Sequence, residues 1–314
     1  MFIEGIILLV GLIILIKSSE MSILYSIRLA KLLEVTQMAI GFLFISIITS
    51  LPEFSIAILS SLKGEGLLSV GNLFGANIIN MTLIFGIMAI LVTIKTSKED
   101  YKQLIRTIAI ISAVSLAFVF LNEIGFLFGL FCITTFVLFF YSIYKNSYKL
   151  KPKKIKYEGL KTVETVKTFA YAVASIILVI ISAKFVTDSA IQIASLFGIA
   201  ESLIGASILA IGTTLPELSI SLIAIKRKNI SLAIGDLIGS LVTNLTLILG
   251  SAAIIAPIVI GPVSKFLAIF LLFTSMIFLF LTSATTYGKK QGIILIILFF
   301  GYIIALLNYQ IFFI

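Results

Sequence analysis

The sequence predicts an all-α, polytopic membrane protein of about ten transmembrane helices in two inverted five-helix repeats. Three observations carry that expectation. The chain of 314 residues is 60% hydrophobic and only 12% charged, with a mean hydropathy of +1.23, too poor in charge for a soluble domain of this size. Apolar runs such as 2–16, 108–121, 126–144 and 266–282 reach or approach the length that crosses a bilayer as helix. One polar motif also occurs twice. Gly41, Thr49-Ser50-Leu51-Pro52-Glu53, Gly71 and Asn80 return as Gly205, Thr213-Thr214-Leu215-Pro216-Glu217, Gly235 and Asn244, each 164 residues later.

In chain order, the expected spans are 2–19, 36–61, 67–93, 105–121, 125–144, 168–190, 200–225, 230–256, 264–284 and 291–312. The first and sixth continue as polar-flecked helix, because 22–33 and 186–197 keep apolar residues at helical spacing. The N-terminus has neither a basic leader nor a small-residue cleavage site, so it reads as a retained helix. The first repeat is expected over 1–144 and the second over 168–314, with a lysine-rich linker at 145–167 carrying Pro152 and Gly159.

Basic residues set the expected orientation. Arg28 and Lys31, then Lys95 to Arg106, the lysines from Lys145 to Lys167, Lys226 to Lys228, and Lys289 with Lys290 all fall in alternate links. Only Lys17, Lys63, Lys184 and Lys265 lie elsewhere. The positive-inside rule then places both termini outside the cell membrane and the 145–167 linker in the cytoplasm. Five spans per repeat is an odd number, so the second copy enters the bilayer upside down.

The chemistry lies in the duplicated motif. Ser46, Thr49, Ser50 and Glu53 share one helix face through spacings of three and four. Ala210, Thr213, Thr214 and Glu217 repeat that face. Pro52 and Pro216 each remove a backbone donor and crowd the carbonyl four residues back, at Ile48 and Gly212, so each helix bends or breaks. Following spans bring a second stripe: Asn72, Ala76 and Asn80, matched by Asp236, Ser240 and Asn244, with glycines at 71, 75, 235 and 239 for close helix approach. Carboxylate, hydroxyl and carbonyl oxygens are hard ligands suited to Ca2+ and also to Na+. Two carboxylates converging near the midplane would neutralise one divalent ion.

Other classes fit less well. The net charge of +9 is spread between apolar spans, which excludes a nucleic-acid surface. Cys132 is the single cysteine and there is no histidine, so neither a disulfide framework nor the usual proton relay is available. For an intramembrane enzyme the sequence offers no histidine, nucleophile–base pair or HExxH motif. A cation channel with the glutamates as a selectivity ring remains an alternative, but a carboxylate pair in broken helices suits occlusion better than conduction.

At these residues the sequence resembles the calcium/cation antiporter superfamily, in its prokaryotic sodium/calcium exchanger branch. The resemblance implies antiport of Ca2+ against Na+ by alternating access, with the ions as cargo, no cofactor and no obligate protein partner beyond the lipid bilayer. It implies ion positions between the second, third, seventh and eighth helices. Glu53, Glu217, Thr49 and Thr213 would hold calcium. Ser50, Thr214 and Ser240, with the carbonyls of Ser46 and Ala210, would hold sodium, and Asn80 and Asn244 would line the middle. Ala76 stands where such exchangers usually carry a serine, Asn244 where archaeal sodium exchangers carry an aspartate, and Asp236 where an asparagine is common. These departures keep H+ open as the alternative counter-ion, with Asp236 placed to pass protons toward the site.

Overall fold

A computed structural model describes residues 2–33, 36–64, 66–95, 98–149, 162–196, 210–282 and 286–313. The first half runs α1 (Phe2–Leu32), α2 (Gln37–Thr49), α3 (Leu51–Leu62), α4 (Gly66–Leu91), β1 (Ile94–Lys95), α5 (Lys98–Phe120), β2 (Glu123–Ile124) and α6 (Phe126–Lys149). The second runs α7 (Thr162–Leu196), α8 (Ala210–Thr213), α9 (Leu215–Lys226), α10 (Ile230–Ile255), β3 (Ile258–Val259), α11 (Pro262–Thr282), β4 (Thr286–Tyr287) and α12 (Lys289–Phe313). Lipid offers the backbone no hydrogen-bond partner, so apolar stretches of this length satisfy their own amides as helix.

Eight helices among the described residues are long and apolar enough to cross a membrane, or nine if the bent pair α2–α3 is one span. This falls short of the ten expected. The missing one is the span at 200–225, whose first part, with Gly205, lies outside the described residues. The expected linker is entered from both ends, since α6 continues to Lys149 and α7 begins at Thr162. Residues 150–161 lie outside the description.

The continuation expected for the first and sixth spans is present, as unbroken helices of 31 and 35 residues. At 1.5 Å per residue each exceeds the roughly 30 Å of hydrocarbon. They lie side by side and antiparallel: Tyr25 stacks on Tyr171 with ring centroids 5.2 Å apart, and one turn further Arg28 forms an ion pair with Glu164 near the start of α7. The core centres on α4 and α10, whose buried faces include Leu73, Phe74, Ile78, Leu241, Val242 and Leu245. Outer helices turn large apolar side chains such as Phe131, Leu138, Phe280 and Ile297 outward, as lipid-facing surfaces do.

Two short strand pairs, too brief to leave any alternation in the sequence, fix how the halves meet. Ile94 pairs with Tyr287 and Lys95 with Thr286, joining the start of α5 to the end of α11. Glu123 pairs with Val259 and Ile124 with Ile258, joining the end of α5 to the start of α11. The equivalent helices α5 and α11 therefore run antiparallel. The second junction is reinforced where Ile260 N–H donates to the Asn122 carbonyl at 2.8 Å and Lys265 Nζ to Asn122 Oδ1 at 3.2 Å.

Candidate cation site

The site is built at two matched helix breaks. Helix α2 meets α3 at an angle of 43°, and the hinge is Ser50 (φ −80°, ψ 9°). Its counterpart Thr214 has nearly the same backbone (φ −89°, ψ 1°) between α8 and α9. Pro52 and Pro216 sit in the first turn of the helix that follows each hinge. There the missing amide is one the helix would leave unpaired anyway. Glu53 and Glu217 lie one residue further, at the positive end of the helix dipole. Both are fully buried.

Residues from the two halves interlock around these acids. Thr213 stands near Glu53 and Thr49 near Glu217, each on the opposite half from its acid. Thr49 Oγ1 also donates to Asp236 Oδ1 at 3.3 Å, and Thr213 Oγ1 makes the equivalent bond to Asn72 Oδ1 at 3.2 Å. Ser240 Oγ donates to Glu217 Oε1 at 3.2 Å. Glu217 stands within charge–charge range of both Glu53 and Asp236. Asp236 thus stands beside Thr49 and Glu217.

The arrangement leaves acceptors over. Both oxygens of Glu53, Oε2 of Glu217, Oδ2 of Asp236, Oδ1 of Asn80, Oδ1 of Asn244 and Oγ of Ser50 are buried without a hydrogen-bond partner. One ionised carboxylate at mid-membrane costs roughly 2.5–3.5 kcal/mol even on the mildest scale. Stranding several oxygens together fits a positive occupant, and the chemistry is that of hard cations. Among the described residues no group of three or more His, Cys, Asp and Glu side chains gathers as a metal site. Beside the two glutamates stand the hydroxyl of Ser50 and the amide oxygens of Asn80 and Asn244.

The carbonyls of Ser46 and Ala210 are already engaged. Ser46 O accepts from Ser50 N at 3.1 Å and Thr49 Oγ1 at 3.3 Å. Ala210 O accepts from Thr214 N at 3.3 Å and from the hydroxyls of Thr213 and Thr214, both at 3.2 Å. As ligands they would share lone pairs with these bonds. Asn80 and Asn244 each open a π-helical turn, at Asn80–Ile84 and Asn244–Ile248, the type of bulge that accompanies functional positions. Asn77 is a residue the sequence reading left out of the site: its amide joins Leu241 and Asn244.

Close backbone contact holds the shell together. A Cβ on Gly235 would lie 2.2 Å from the Met38 carbonyl, and one on Gly41 would lie 2.3 Å from the Leu232 carbonyl. Helices α2 and α10 therefore touch main chain to main chain, which draws Ser46 against Gly239 and Thr49 against Asp236.

Comparison with known proteins bears on the family and the fold. A family model described as sodium/calcium exchanger protein matches residues 4–145 and again 167–308. The putative antiporter CaxA of Alkalimonas amylolytica is 29% identical over 96% of this chain and 98% of its own length. The sodium/calcium exchanger MaX1 of Methanosarcina acetivorans is 27% identical over 96% of this chain and 97% of its own. The sodium-calcium exchanger NCX_Mj, solved after soaking with 10 mM Na+ and zero Ca2+, superposes with a TM-score of 0.84 at 26% identity, covering 98% of this chain and 99% of its own.

Proposed function

The chain belongs to the sodium/calcium exchanger protein family, and from that premise we propose that it is a secondary active antiporter exchanging Ca2+ for Na+ by alternating access. The observation that carries this reading is the set of unpartnered buried oxygens around Glu53 and Glu217, the two acids being carried at helix breaks of matching hinge geometry. Two carboxylates balance one Ca2+, leaving a neutral occupied site that can change its exposure within the bilayer. Glu53, Glu217, Thr49 and Thr213 hold calcium. Ser50, Thr214 and Ser240, with Ser46 and Ala210 through their carbonyls, hold sodium, and Asn80, Asn244 and Asp236 complete the polar lining.

The complete architecture is ten spans in two inverted repeats, over 1–144 and 168–314. Support comes from the antiparallel course of α5 against α11 and from the two separate stretches matched by one family model. Sidedness follows the lysines, with both termini outside the cell membrane and the linker cytoplasmic. A cysteine introduced at Lys154 in a chain lacking Cys132 should be labelled only from the cytoplasm, and one at Asn122 only from outside. Labelling of the Lys154 position from outside would invert this orientation.

Proton coupling is the second reading, favoured by Ala76 and Asp236. Ala76 is buried and brings no hydroxyl to the stripe where Ser240 bonds Glu217. Asp236 adds a third buried carboxylate. Reconstituted protein separates the two. Liposomes preloaded with Na+ at symmetric pH should take up Ca2+, and acid-loaded liposomes without Na+ should not. Uptake driven by acid alone, unaffected by Na+, rejects sodium exchange. Persistent Ca2+ flux with no counter-ion on either side rejects antiport in favour of a channel.

A further inference from the structure

Asn77 breaks the two-fold match of the halves, and its bonds fix which way another amide points. Its equivalent 164 residues on is Leu241, and that residue's own backbone carbonyl accepts from Asn77 Nδ2 at 3.1 Å. A carbonyl oxygen can only accept, so Asn77 must offer it the amino group. Its Oδ1 is thereby turned to Asn244, whose Nδ2 donates to it at 3.0 Å. Asn244 has then turned its amino group to Asn77, committing one N–H there, and its Oδ1 is left buried and unpartnered. Asn80, the equivalent of Asn244, faces no such relay, because leucine stands where an asparagine would be needed. Both atoms of its amide are buried and unbonded.

We infer that Asn77 is a positioning residue that locks the Asn244 amide with its oxygen toward the cation, making the middle of the site unequal between the halves although the motif around it is duplicated. The chain of polarity starts at a main-chain carbonyl and cannot be reversed without breaking two buried hydrogen bonds. Without Asn77 the Asn244 amide is free to rotate and to present its N–H groups, which repel a cation. The inference rests on the cation site proposed above.

The test is equilibrium Ca2+ binding to purified full-length protein in detergent. Wild type is measured first; if it binds no Ca2+, the proposed function fails and this inference with it. Given binding, Asn77→Leu should weaken apparent Ca2+ affinity about 10–100-fold, the usual cost of removing the partner that orients a metal ligand. Asn244→Ala should cost about tenfold more than Asn80→Ala. The exchanged pair Asn77→Leu with Leu241→Asn rebuilds the relay on the other half. It should recover most of the affinity and reverse the order, so that Asn80→Ala becomes the costlier change. Unchanged affinity in Asn77→Leu, or equal costs at Asn80 and Asn244 in an otherwise wild-type chain, overturns the inference. So does an exchanged pair that binds Ca2+ with Asn244→Ala still the costlier change. The comparison of Asn80 with Asn244 stands even if Asn77→Leu does not fold.

Discussion

Glu53→Gln and Glu217→Gln should each reduce Ca2+ flux to the level of empty liposomes while leaving a folded, monodisperse protein. Glutamine keeps the shape of the side chain, so packing at these fully buried positions is retained. What is lost is half of the charge that meets a divalent ion. Removing one partner from a buried ion pair costs about 3–5 kcal/mol, more than about a hundredfold in affinity. The two variants should behave alike, because Thr213 flanks Glu53 as Thr49 flanks Glu217. Asp236→Asn should do less, since the equivalent position already carries an amide at Asn72, whose oxygen accepts the same kind of threonine bond. Flux in either glutamine variant near that of wild type would show that Ca2+ does not require both acids.

Gly235→Ala should prevent folding, or destabilise the protein by at least the upper end of the roughly 1–3 kcal/mol that overpacking costs. The added methyl would sit 2.2 Å from the Met38 carbonyl, with the Met38 carbon and Cα only 2.9 and 3.0 Å away. Those atoms are main chain and cannot swing aside, so α10 must move off α2. That separation would also pull Asp236 from Thr49, coupling packing to the site. Gly301→Ala is the control, because nothing lies within 4 Å of its added methyl. Folded yield on size-exclusion chromatography and thermal midpoint decide the matter. A stable Gly235→Ala protein with unaltered Ca2+ transport would remove the close-contact explanation for that glycine.

Much of this was legible in the sequence because a bilayer leaves few options. Hydrophobic length marked the helices, and Pro52 and Pro216 marked the bends, with hinges at the residues two before them. Duplication marked Glu53, Glu217, Thr49 and Thr213, since a polar residue carried twice into an apolar segment is rarely incidental. The same criterion hid Asn77, because its equivalent is leucine and its partner there is a main-chain carbonyl, which has no residue signature. Asn72 was visible as part of a stripe, but its bond to Thr213 depends on how the halves are docked. The strand pairs escaped for a related reason: two residues per strand give no periodicity, and only docking brings β1 to β4 and β2 to β3. The helical ends that reach into 145–167 are polar as well as helical, so composition alone read them as linker.

The most direct test of the shared site is equilibrium binding of radioactive Ca2+ to the purified protein across a series of Na+ concentrations. If calcium is held between Glu53 and Glu217 and the adjoining sodium positions exclude it when filled, binding should saturate at a single Ca2+ per chain, apparent affinity should fall steeply as Na+ rises, and Glu53→Gln should abolish it. Saturation at two Ca2+ per chain, or an affinity indifferent to Na+, would contradict one calcium position whose occupancy excludes sodium.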